Sequence, residues 1–178
     1  MDDVKKITLP LTKEMAESLK MGDRVSLTGT IYAARDEAHE NMIALLEEGK
    51  PLPIDIKDAT IYYVGPAPAK PGDVIGSAGP TTSGRMDAFA PTLLDLGLRG
   101  MIGKGARSKD VVDAMVRNKC IYFGAVGGAG ALLAGCIKEQ EIIAWPELGP
   151  EALRRFEVVD MPLIVIIDAE GHDLYVEH

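Results

Sequence analysis

Two threonines, a serine and an arginine fall within five residues, Thr81-Thr82-Ser83-Gly84-Arg85, directly after a Gly79-Pro80 turn. Further on, Gly103-Lys104-Gly105 adds a second cation in a flexible setting. Hydroxyls and fixed cations placed together bind an anion by charge-assisted hydrogen bonds. Between the two motifs, Met86, Phe89, Leu93, Leu94 and Leu96 are spaced as one buried face of a helix ending at Gly97. A helix starting at Arg85 would add unpaired N–H groups and a positive dipole end, both of which favour an anion. The plain alternative is a capped helix with Thr81 as N-cap, whose Arg85 and Lys104 point at water.

Other elements must position these groups. Lys6–Leu11 reads as a strand and Thr12–Leu19 as a short helix with Thr12 as N-cap. Arg24–Ala33 alternates Val25, Leu27, Gly29 and Ile31 with polar residues, the pattern of a half-buried strand. Arg35 follows its end. Asp36–Glu48 is a helix with Asp36 as cap and an apolar stripe of Ala38, Met42, Leu45 and Leu46. His39 lies one helical turn after Arg35 and could reach the same site, the alternative being an exposed helical histidine. Ala59–Gly65 is a strand, 66–73 a surface loop, and Val74–Ala78 a resumed strand. Ser108 caps a helix through Arg117. Cys120–Phe123 is a buried strand, 124–130 a Gly/Ala-rich turn leading into a small helix to Ala134, and Cys136–Ala144 a strand. Trp145–Gly149 is a turn, Val158-Val159 and Leu163–Asp168 are strands, Glu170-Gly171 is a hairpin turn and Asp173–Val176 a final edge strand. Mixed strands and helices without strict alternation predict an α/β domain with a mixed sheet, partly closed into a barrel. No internal boundary is visible, so residues 1–178 are expected to form one domain.

Composition narrows the chemistry. The chain has 178 residues, 47% of them apolar, and a formal net charge of −8. That supports a real core and argues against a general nucleic-acid binder. An acidic protein that binds an acidic small molecule must gather its cations locally, which makes each arginine and lysine informative. There is no apolar run long enough for a membrane helix, and the start does not read as a signal peptide, so a cytoplasmic setting is expected. Cys120 and Cys136 have no metal-ligand spacing and read as reduced, buried structural thiols. The 124–130 turn lacks GxGxxG, Lys104 does not sit in a phosphate loop, and GxSxG is absent. His39, His172 and His178 share no metal spacing.

The stretches GPTTSGRMDAFAP, GKGA and TGTIYAARDEAHE together resemble the beta subunit, equivalently the C-terminal domain, of class I iron–sulfur fumarases and L-tartrate dehydratases. The resemblance extends over nearly the whole chain, including Trp145–Gly149 and Pro162–Asp168. It implies a swivelling β/β/α domain and a hydro-lyase (EC 4.2.1.-) that reversibly hydrates fumarate to malate. It also implies a 4Fe–4S cluster held by a cluster-bearing alpha subunit, in a heterodimer or heterotetramer, with no metal bound by this chain. Residue by residue, it assigns substrate binding to Arg35, Arg85 and Lys104 and proton transfer to Thr81 or Thr82, with His39 in support. Each carboxylate of a dicarboxylate needs a cation, and fixed cations stabilise the enediolate-like charge formed when a neighbouring proton is lost. A threonine hydroxyl is a weak base and needs adjacent positive charge. Gly84, directly before Arg85, favours fumarate over tartrate. Two other readings stay open: an L-tartrate dehydratase beta subunit, and a non-catalytic dicarboxylate-binding or assembly module. In isolation the chain is expected to expose a docking face and to pair as a homodimer.

Overall fold

The computed structural model describes residues 3–125 and 130–176. Strand β1 (Val4–Thr8) leads to helix α1 (Lys13–Ser18), where the Thr12 hydroxyl accepts the Met15 N–H at 3.2 Å as the N-cap. Strand β2 (Arg24–Ala33) buries Val25, Leu27, Ile31 and Ala33, the alternation read from the sequence. Helix α2 (Asp36–Glu47) buries Ala38, His39 and Met42. Asp36 is its first helical residue and Arg35 its N-cap, without a side-chain capping bond, so the cap expected of Asp36 is not made.

Strand β3 (Thr60–Tyr62), helix α3 (Ala90–Asp95), strand β4 (Gly100–Ile102) and helix α4 (Lys109–Asn118) follow. Ser108 caps α4 by accepting the Val111 N–H at 3.4 Å. Strand β5 (Ile121–Ala125), helix α5 (Gly130–Ala134), strand β6 (Ile137–Ala144) and the long strand β7 (Leu153–Ile167) complete the chain. Residues 126–129 of the Gly/Ala-rich turn lie outside the described residues, as does His178.

Strands β1 to β5 run parallel in the order β1-β2-β3-β4-β5. Strand β7 is antiparallel and pairs with both β2 and β5, which closes β2-β3-β4-β5-β7 into a five-stranded barrel. β1 flanks it on β2 and β6 on β7. One face of the strands (Leu27, Ile31, Phe123, Leu163) packs inward, together with Leu19 of the turn after α1. The other face (Ile61, Met101, Tyr122) packs on Met42, Leu93, Leu94 and Met115 of α2, α3 and α4. Each such fully buried side chain contributes about 1.5–3 kcal/mol of burial free energy.

Four expectations fail locally. The helix expected over 86–97 splits into a 3-10 turn (Ser83–Met86) and the six residues of α3, which starts only after Phe89. The anion-binding helix start at Arg85 is therefore absent, because so short a turn aligns few peptide dipoles. Val74–Ala78 is not a strand: Ala67 N–H donates to Ser77 O at 2.9 Å, but Pro66 and Pro68 have no N–H to continue the ladder. Asp173–Val176 is not a strand: Asp173 makes a single bridge to Ile167 and Leu174–Val176 is a 3-10 turn, because the Asp173 carboxylate takes the Tyr175 N–H at 2.9 Å. The two late strands are one: Asp160 adopts φ +50°, and pairing with β2 resumes at Met161.

Candidate active site

Because β2 to β5 are parallel, their C-terminal ends open on one rim. Arg35 follows β2, Gly65 follows β3, Lys104 follows β4 and Ala125 ends β5. The GPTT loop is tied between the extensions of β3 and β4. Thr81 N–H donates to Tyr63 O at 2.8 Å, Lys104 N–H to Thr81 O at 3.3 Å, and Ser83 N–H to Lys104 O at 2.8 Å. Thr82 and Lys104 form a parallel bridge. The two motifs thus meet edge to edge through main-chain bonds.

The side chains on this rim differ in what they hold. Arg85 is exposed, and its Nη2 donates to Thr81 Oγ1 at 3.1 Å while its Nε lies 3.1 Å from Asp36 Oδ2. Asp36 adjoins Arg35, so one carboxylate links the two arginine segments. Arg35 is half-buried; it lies so close over Gly65 that a Cβ there would come within 2.8 Å of its Cδ and Nη1. Its buried Nε has no partner among the described residues. Lys104 is exposed and lines a hollow of about 360 Å³ with Gly79, Pro80, Gly124 and Tyr175. Arg35, Arg85 and the threonines are not part of that lining. A larger hollow, about 620 Å³, lies between the 67–77 loop and β6 and contains no arginine.

His39 is buried, not exposed. Its Nδ1 lies 2.7 Å from Arg35 O. A carbonyl only accepts, so Nδ1 carries the proton and Nε2 presents a lone pair, which is buried and unpartnered among the described residues. The ring sits against Tyr63 and Phe89, with centroids 5.5 and 5.9 Å away. Burial, aided by nearby Arg107, pushes its pKa down to about 4 and keeps it neutral. It therefore underpins the backbone of Arg35.

Sequence reasoning passed over the layer beneath. Arg107 is buried: Nε donates to Asp87 Oδ1 at 2.7 Å, Nη2 to Tyr63 Oη at 3.1 Å, and Nη1 lies 3.4 Å from Met101 Sδ. Its guanidinium carbon stands 5.1 and 4.8 Å from the ring centroids of Tyr63 and Tyr122. Asp87 also accepts the Ser108 N–H at 2.7 Å. Nothing in the run Gly105-Ala106-Arg107 distinguishes this arginine from a surface one. Arg154, at the start of β7 and opposite Ala33, is a second overlooked cation, donating to Gln140 Oε1 at 2.7 Å and Gly149 O at 2.8 Å.

The thiols do not fit an iron–sulfur cluster. Cys120 is buried and donates to Leu98 O at 3.2 Å, and burial pushes its pKa up to about 12. Cys136 is half-buried, contrary to expectation, and burial also raises its pKa. Neither is a ready thiolate ligand. Among the described residues, Asp168, Glu170 and His172 come within metal-binding reach of one another. The Asp168 carboxylate is already occupied by the N–H groups of Met21, Glu170 and His172, which closes a turn. Among the described residues no helix is long and apolar enough to cross a membrane.

Comparison with known proteins points one way. The family model described as Fumarase C-terminus matches residues 1–178. The anaerobic class I fumarate hydratase of Escherichia coli K12 is 46% identical over 154 residues, 85% of this chain and 28% of that protein. Fumarate hydratase 2 of Leishmania major is 40% identical over 165 residues, 92% of this chain and 29% of its own length. The L(+)-tartrate dehydratase subunit beta of E. coli K12 is 34% identical over 177 residues, covering 97% of this chain and 87% of that subunit. The chain thus spans less than a third of the fumarate hydratases it matches, but most of the tartrate dehydratase subunit. It belongs to the Fumarase C-terminus family.

Proposed function

We propose that this chain, folded as one unit over residues 1–178, is the beta-type half of an iron–sulfur hydro-lyase that interconverts fumarate and malate. The observation that carries the reading is the meeting of the GPTT and GKG motifs at the rim, with the side chains of Arg35 and Lys104 unpartnered among the described residues. A half-buried guanidinium with open donors favours a carboxylate, which it can bind as a two-pronged fork. Arg85 is already oriented by Asp36 and Thr81 and would take the second carboxylate. Lys104 would stabilise the negative charge that grows beside the carboxylate as a proton leaves.

Thr81 is the better proton-transfer group of the pair. Its Oγ1 accepts a hydrogen bond from the Arg85 guanidinium, which stabilises an alkoxide there and leaves its own proton free to move. Thr82 has no such partner among the described residues. The cluster would be held by an alpha-type partner, since the two thiols here do not fit it, and this chain would contribute only the groups named above. The greater identity to fumarate hydratases and the small Gly84 before Arg85 favour fumarate over tartrate. The two free thiols fit a reducing cytoplasm. The decisive test is Arg85→Ala in the assembled protein. Hydration of fumarate should fall at least 1000-fold, about 4 kcal/mol, with assembly and thermal midpoint unchanged. Near-wild-type turnover would remove the site.

A further inference from the structure

We propose that the Tyr122 hydroxyl is a positioning group for this reaction, a pin that fixes Lys104 relative to the threonine pair; the proposal rests on the site reading above. Tyr122 stands in β5, beneath the rim and outside every motif. Its Oη donates to Gly105 O at 2.8 Å, and Ser83 Oγ lies 2.7 Å from the same oxygen. The carbonyl can only accept, so the single phenol proton is committed to it. Ser83 must then donate its own proton to Tyr122 Oη. One oxygen therefore joins the residue after Thr82 to the residue after Lys104.

The pin is held from three sides. Ser83 is buried, so its hydroxyl has no water to turn to. The Arg107 guanidinium packs on the Tyr122 ring, with its carbon 4.8 Å from the centroid. Burial raises the phenol pKa far above its ordinary value, so the proton stays in place across the working pH range. Space closes the arrangement: a Cβ on Gly103 would collide with Ser83 Oγ and stand 2.8 Å from Tyr63 Cδ2. Main-chain bonds alone set the two loops side by side. The phenol bridge removes the remaining freedom of one to slide past the other, and small misplacements of reacting groups are expensive in rate.

The test uses Tyr122→Phe, Ser83→Ala and their combination in the assembled hydro-lyase, with Arg85→Ala alongside. Each single variant should lower kcat for fumarate about tenfold. KM should change less than threefold, because the grip of Arg35 and Arg85 on the carboxylates does not run through Tyr122. The double variant should be no worse than the singles, since all three remove the same bridge. If Arg85→Ala is inactive while Tyr122→Phe stays within twofold of wild-type kcat, or if the two single losses multiply, the pin is disproved and the site stands. If Arg85→Ala is active, the site itself fails and the pin with it. Thermal midpoints identify any unfolded variant. Should Tyr122→Phe not fold, Ser83→Ala alone decides by the same kcat criterion.

Discussion

Arg107 and Arg35 are buried to different depths in one small domain, and they are used in opposite ways. Arg107 divides its donors between Asp87, Tyr63 and the Met101 sulfur and stacks on two aromatic rings. Each of its three nitrogens already has a partner. Arg35 leans over Gly65 with a buried Nε that none of the described residues satisfies. Arginine is rarely taken from water without compensation. Where the protein supplies the partners, the cation is a strut. Where it does not, the geometry leaves a place for an anion. An acidic chain can thus carry several cations in one neighbourhood and still separate framework from grip by counting open donors.

That division can be attacked directly. The largest effect belongs to the strut. Arg107→Met should reduce unfolding free energy by about 3–5 kcal/mol in urea titrations, because Asp87 loses its buried counter-charge. A loss below 1 kcal/mol would show that the network carries no framework role. Next comes His39, which lies between the two layers. Its folded pKa of about 4 is below the ordinary value near 6.5, so the unfolded chain takes up the proton first as pH falls. Its contribution is complete above about pH 6.5 and disappears on the way down to about pH 4, in total ~3 kcal/mol. His39→Gln should flatten the stability curve by that amount over this range, and superimposable curves for the two proteins would refute the buried neutral ring. The smallest effect is at the rim. Lys104→Ala should cost about 100-fold in kcat/KM, about 2.7 kcal/mol, and shift stability by no more than about 0.5 kcal/mol. A destabilised Lys104→Ala protein would place that cation with the struts.

Much of the framework was legible in the residues. The alternation of Arg24–Ala33, the stripe of Asp36–Glu48, and Thr12 and Ser108 as caps are local signals, and local hydrogen bonds realise them. The errors arise where local signals compete with distant ones. Leu93 and Leu94 are helical, but the spacing that joined them to Met86 hides a break into two turns. Asp160 and Pro162 disguise the continuity of β7, which is imposed by pairing with β2, a strand more than a hundred residues earlier. The rim residues were found through motifs. The Arg107 layer was not, since an arginine after Gly-Ala has no sequence mark of burial. His39 was placed near Arg35 correctly by its one-turn spacing, but its burial depends on Phe89 and Tyr63, which belong to other elements.

The contact between Gly103 and Ser83 reaches beyond the reaction. Any methyl group at position 103 pushes on a hydroxyl twenty residues away, and that hydroxyl has nowhere to retreat. The positions must drift together: a larger residue at 103 needs both a smaller residue at 83 and a shift of the Tyr63 ring. A library that randomises one motif while freezing the other will find almost nothing, whereas one that varies both together can reach new pocket shapes.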